Sequence, residues 1–260
     1  MRLNDTSRAL SAALFLVANC TGLMAQDGVR KLIANPTIID QPGSYMLRSN
    51  LRYSPASGPA ILVQADGVSL DLNGFEIQGP GGKQGTAIMV DGAHGVSISN
   101  GSLSNNWFGV VVQNSGNVTI KNLRIRAQGL VIAELPPETG IMVVESRNVV
   151  VEDNAIFNTG LGIFVRGGMS GGNRLSNNTV TAGTNGLLGI CYNPAPNDPE
   201  SPKSDIVSGN LVSGFTTGMS FKETSAFNVI RNNVIQYRTT GIEQLSTRNT
   251  EEGNTAVKMQ

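Results

Sequence analysis

From residue 58 onward the apolar positions of this chain recur in one fixed order. A small residue opens each unit and an apolar run follows: Ala60-Ile-Leu-Val, Ala87-Ile-Met-Val, Gly109-Val-Val-Val, Gly140-Ile-Met-Val, Gly162-Ile-Phe-Val, Gly186-Leu-Leu-Gly, Gly218-Met-Ser-Phe and Gly241-Ile-Glu-Gln. Successive units start 22 to 32 residues apart. After the opening residue, positions one and three are apolar in nearly every copy, as in Ile141 and Val143 or Ile163 and Val165. That period of two predicts a strand with those side chains inward. A Gly, Asn or Ser turn, a second short strand such as Val118-Thr-Ile, and a third apolar run complete the unit. A unit this short cannot bury its own apolar face, so the pattern predicts stacking into a solenoid of about eight coils.

One polar column runs through the repeats. Five residues beyond the first residue of each second strand stand Asn73, Gly101, Leu123, Asn154, Asn178, Asn210, Asn233 and Asn254. Two causes select Asn at such a place. A sharp bend favours the left-handed backbone region, which Asn and Gly tolerate. Amides stacked about 4.8 Å apart also hydrogen-bond down a column and satisfy buried polar groups.

The outward position of the first strand reads Leu62, Met89, Val111, Met142, Phe164, Leu188, Ser220 and Glu243. Six successive apolar residues are more than a soluble monomer normally leaves bare, so this ribbon is expected to be covered by the chain's own loops or by a second subunit. Two long excursions, over 126–139 and 192–203, are expected to flank the same groove.

Composition narrows the partners. Lys plus Arg and Asp plus Glu number 19 each, so no net field recruits nucleic acid or an anionic membrane. Charged residues make up 15% of the chain and Gly numbers 31, a turn-rich β composition. Arg2 and Arg8 precede an apolar stretch over 9–17 that is too short to span a bilayer. An export signal cleaved after Ala25 is therefore expected, although Leu23 meets the small-residue rule poorly. Asn19 stands where a lipoprotein signal carries a small residue, which argues against lipidation of Cys20. The expected organisation is a signal peptide over 1–25, an N-terminal lead-in or cap segment over 26–57 and the solenoid over 58–260. The expected location is secreted or periplasmic, without a transmembrane segment. Loss of Cys20 leaves Cys191 alone, expected as a buried, inert thiol.

The coil pattern, the Asn column and the opening Ile38-Ile-Asp-Gln-Pro-Gly-Ser-Tyr-Met-Leu with Val68-Ser-Leu-Asp-Leu-Asn-Gly-Phe together resemble the right-handed parallel β-helix of the pectin lyase-like superfamily. The likeness covers about 36–260. It implies an all-β right-handed parallel β-helix, and it leaves the activity open. That scaffold carries pectate lyases, polygalacturonases, alginate epimerases, phage depolymerases and proteins with no known chemistry.

Two classes of function follow. One is binding, with or without lyase or hydrolase cleavage, of an extracellular acidic polysaccharide along the first-strand face. The other is a structural or adhesive β-helix that forms homo-oligomers through its apolar ribbon. A hydrolase needs carboxylates about 5 to 9.5 Å apart. The first-strand candidates Asp91, Glu145, Glu223 and Glu243 form no adjacent pair. The only His, His94, is a candidate general base. Arg166 and Lys222 occupy equivalent first-strand positions two coils apart, where a lyase base would stand. Calcium is a candidate cofactor, but no acidic trio accompanies these bases. Trp107, Phe108 and Tyr192 are candidate stacking surfaces for sugar rings, with Met142 and Phe164 on the groove floor.

Overall fold

The computed structural model describes residues 30–54, 58–128, 138–167, 171–193, 204–222 and 225–260. The expected signal peptide, Cys20, Glu223 and most of both excursions lie outside the described residues. Every regular element among those residues is a strand. All pairings join residues of successive coils in parallel, as stacking of short units requires.

The first-strand sheet stacks Thr37–Ile39, Ile61–Val63, Thr86–Asp91, Phe108–Gln113, Thr139–Val144, Leu161–Arg166 and Leu188–Asn193. The later halves of Leu211–Phe221 and Val234–Gln244 continue it. A rung at Thr37–Ile39 thus precedes the units visible in the repeat. The second and third strands of each coil stack the same way and close the solenoid. Alternation aims Ile61, Ile88, Val110, Ile141, Ile163, Ile190 and Met219 into the lumen, where each is fully buried. Such burial stabilises by roughly 1.5–3 kcal/mol per side chain.

The small residue that opens each unit has a steric cause. A Cβ on Gly162 would lie 2.2 Å from Val180 Cγ1 and 2.3 Å from the Gly189 carbonyl oxygen. The same squeeze, between a third-strand side chain and the next coil's backbone, holds at Gly109, Gly140, Gly189 and Gly218.

The Asn column is present, and it resolves into two neighbouring columns with one cause each. Asn178 Oδ1 accepts the backbone N–H (3.1 Å) and the Nδ2 amide (3.0 Å) of Asn154. Asn178 bonds Asn210, Asn210 bonds Asn233, and Asn233 bonds Asn254 in the same double way. Each ladder amide also donates to a lumen-strand carbonyl, as Asn178 does to Val151. The left-handed residue is the one before: Asn122, Asp153, Asn177 and Asn232 have φ of 54°, 56°, 57° and 55°, and none of the ladder residues is left-handed.

Two positions depart from the sequence reading. The sixth unit opens at Gly189, not Gly186, because Ile163 pairs with Ile190 and Phe164 with Cys191. The outward column therefore carries Cys191 where Leu188 was expected. Asn73 is not in the ladder. Five steps separate Asp71 from Glu76, against three from Ser99 to Ser102, and Asn73 turns this longer corner with φ 51°. Leu123 keeps the ladder's register without an amide: its N–H donates to Asn154 Oδ1 at 3.0 Å.

Candidate functional site

The outer face of the first-strand sheet presents three columns along the solenoid axis. The central one runs Leu62, Met89, Val111, Met142, Phe164, Cys191, Ser220 and Glu243. Beside it run Asp91, Gln113, Val144, Arg166 and Asn193. Lys222 follows in this column, since Phe221 pairs with Tyr192 and the Lys222 N–H donates to the Tyr192 carbonyl. On the other side Thr86, Phe108, Thr139, Leu161 and Leu188 align.

The ribbon is covered in part within a single chain. Val111, Cys191 and Ser220 are buried, while Leu62, Met89, Met142 and Phe164 stay half-buried. Toward the C-terminal end the column turns polar. Glu243 Oε2 accepts from Ser220 Oγ at 2.6 Å and from Lys222 Nζ at 3.1 Å. The hydroxyl of Ser220 first, and Lys222 second, hold the Glu243 carboxyl below its usual range against the opposing effect of burial. Cys191 lies in the same column; burial pushes its thiol up to about 12, so it is the inert cysteine expected from the sequence.

Arg166 and Lys222 share one column with Asn193 between them, about 10 Å apart by the rung spacing. Asp91 stands three rungs before Arg166, about 14 Å away by the same spacing. His94 lies beyond Asp91 in the turn to the second strand, exposed, with its N–H donated to Asp66 Oδ1 at 2.7 Å. Its imidazole packs against Gly116, where a Cβ would lie 2.9 Å from Nδ1. The structure thus separates Asp91 and His94 from Arg166, Lys222 and Glu243.

Glu145 follows Val144 at a left-handed φ of 46°, and its N–H donates to the Arg166 carbonyl at 3.0 Å. Its carboxylate lies over Gly167, where a Cβ would meet Oε1 at 2.2 Å. A non-glycine residue held left-handed stores backbone strain, a condition common at functional sites.

Two of the expected stacking aromatics are not available to a ligand. Tyr192 is the third residue after Gly189, an inward position, and is fully buried with its ring stacked on Phe221 at 5.0 Å. Trp107 is buried at the corner leading into the first strand, beside the buried Asn106 that accepts from Tyr53 Oη at 2.7 Å. Phe108, Met142 and Phe164 remain on the outer face, half-buried.

The sequence reading missed a second ladder. Asn173 donates its N–H to Asp205 Oδ1 at 2.8 Å and its Nδ2 amide to Asp205 Oδ2 at 2.9 Å. Asp205 bonds Asn228, and Asn228 bonds Asn249. The signal was present: Asn173, Asp205, Asn228 and Asn249 each stand five residues before a member of the first ladder.

The model of the right-handed β-helix region matches residues 19–193, more than half of the chain. The chain belongs to that family. Solved β-helix structures agree with the fold. The periplasmic alginate epimerase AlgG, as a double mutant, has a TM-score of 0.62 at 16% identity, over 84% of this chain and 55% of that one. The Dettilon tailspike protein has a TM-score of 0.59 at 13% identity, over 87% and 54%. A hyperthermoactive exopolygalacturonase from Thermotoga maritima has 0.58 at 12%, over 88% and 70%. At these identities the likeness is one of fold. The chain spans about half the length of the tailspike and epimerase chains. No curated protein matches it by sequence.

Among the described residues no group of three or more His, Cys, Asp or Glu could hold a metal ion, and no helix is long and apolar enough to cross a membrane.

Proposed function

We propose that this β-helix binds an extracellular acidic polysaccharide lengthwise along the outer face of its first-strand sheet. The observation that carries the reading is the alignment of a half-buried apolar column, including Met142 and Phe164, beside a polar column holding Arg166, Asn193 and Lys222. Both run along the axis with a rung spacing of about 4.8 Å, which suits an extended chain of repeating units. Arg166 and Lys222 supply cationic partners for sugar carboxylates at alternate rungs. The Thermotoga exopolygalacturonase and the alginate epimerase, named for acidic polysaccharides, support this choice of ligand.

Phe108, Met142 and Phe164 provide apolar contact for sugar faces, and the export signal expected over 1–25 supports a periplasmic or extracellular location. If cleavage accompanies binding, Arg166 and Glu145 lie on adjacent rungs beside the bound chain, with Lys222 two rungs and Glu243 three rungs beyond Arg166. Asp91 and His94 would meet the far end of the ligand. Among the described residues no group of three or more acidic ligands would hold a calcium ion, so no step of this reading runs through one.

Affinity electrophoresis through gels containing pectate, polygalacturonate, alginate, chondroitin or a neutral glucan, with and without calcium, tests the reading. Retardation by an acidic glycan, reduced in an Arg166→Gln variant, is expected. Equal mobility in every gel would overturn it. Assays for unsaturated product and for new reducing ends on the same panel separate binding from cleavage.

A second reading follows from the apolar stretch Leu62, Met89, Val111, Met142 and Phe164. A structural or adhesive protein would bury this ribbon against a second copy. Sedimentation showing a stable oligomer, disrupted by Met142→Lys and accompanied by no glycan retardation, would favour it.

A further inference from the structure

Asp205 is a carboxylate in a file of amides. Asn173 precedes it and Asn228 and Asn249 follow it in the second ladder, and its side chain is fully buried. In the first ladder every rung from Asn154 to Asn254 is an amide, which both accepts from the coil before and donates to a lumen carbonyl. An ionised carboxylate can only accept. Tyr192 Oη lies beside it, also fully buried and without a well-formed hydrogen bond to any described group. Tyr192 stands one residue before the end of the first strand of this coil and Asp205 immediately precedes its second, so the pair sits at the lumen corner beneath the candidate glycan face.

We propose that Asp205 makes this coil a proton-sensitive joint, tight when its carboxyl is neutral and weakened when it ionises, with Tyr192 offsetting part of the cost of ionisation. A neutral carboxyl brings no charge into the lumen, whereas the O–H of Tyr192 donates to the ionised form and so favours it. An ionised carboxyl instead places a charge in a lumen walled by Phe221, Leu175 and Val207.

Among the described residues the groups facing Asp205 are these. From its own coil comes Tyr192. From the preceding coil come the N–H and Nδ2 amide of Asn173 and the backbone of Gly172; from the following coil comes Asn228, whose Oδ1 accepts the Asp205 N–H. Burial outweighs these donors and pushes the Asp205 carboxyl up to about 6 from 3.8. A carboxyl raised in the folded state confers stability that is fully present below the unfolded value and is lost as pH rises through the folded one. The window is therefore about pH 4 to 6.

The test uses the full chain with Asp205→Asn and Tyr192→Phe, comparing denaturant unfolding from pH 4 to 8 with an NMR titration of the Asp205 carboxyl carbon. The wild type should raise its unfolding constant about a hundredfold more than Asp205→Asn between pH 4 and 7.5. Asp205→Asn, which completes the amide file, should be the more stable protein at pH 7.5. Because Tyr192 favours the ionised form, Tyr192→Phe should move the Asp205 midpoint upward. A wild-type Asp205 midpoint near 4, or parallel pH profiles for wild type and Asp205→Asn, would overturn the proposal. An unmoved midpoint in Tyr192→Phe would remove Tyr192 from it. If a variant fails to fold, the wild-type titration alone decides.

Discussion

Asn210 Oδ1 accepts two hydrogen bonds from Asn178, one from its backbone N–H and one from its Nδ2 amide, both at 3.0 Å. Each of the four consecutive ladder contacts from Asn154 to Asn254 repeats this double bond, so the file locks the register of successive coils at one corner. Removing one member strands the donors of the coil before it.

Asn178→Ala should therefore cost about 3 kcal/mol, the penalty for stranding the buried Asn154 backbone N–H and one of its two amide N–H groups. Its neighbour Asn177, left-handed at φ 57°, answers to backbone conformation instead. Asn177→Gly should change stability by less than about 1 kcal/mol, because glycine accepts the same φ freely. Denaturant unfolding of the two variants side by side checks that the two columns have different causes; equal losses would merge them again.

Gly162→Ala should destabilise by about 3 kcal/mol, since the added methyl meets Val180 and the backbone oxygen of Gly189, neither of which can swing aside. Ala60 and Ala87 already fill the equivalent position at the start of the solenoid, so Ala87→Gly should cost only about 1 kcal/mol. Thermal unfolding of both resolves the difference.

Much of the solenoid was legible because a stack of short parallel coils demands both period-two apolar runs and an Asn that returns in register. From Asn154 onward the ladder reads correctly, as the corner there has constant length. It fails at Asn73, where the longer corner shifts the Asn into the turn. The sixth unit fails for a different reason: Gly186-Leu-Leu-Gly imitates the opening motif, whereas Gly186 belongs to a turn closed by its N–H donating to the Gly183 carbonyl. That slip put Tyr192 on the outer face and hid Cys191 from the polar cluster. A one-residue slip reverses a strand's faces, so an aromatic near a repeat boundary is the hardest site residue to place.

Lys222→Met separates stability from binding. The Lys222 and Glu243 side chains are each 35% exposed, so their ion pair should contribute no more than about 0.5 kcal/mol. Glu243 is held below its ordinary 4.5, so this small contribution is present above that value and is lost as pH falls through the lower folded one. Unfolding at pH 7 should barely change in Lys222→Met, while retardation in polygalacturonate gels should weaken. Unchanged retardation would take Lys222 out of the binding face.

A crystal structure with a bound oligogalacturonate tests lengthwise binding most directly. The sugar chain is expected to run along the solenoid axis over Met142 and Phe164, with carboxylates near Arg166 and Lys222. A chain crossing the strands, or one seated on the second- or third-strand sheet, would contradict it.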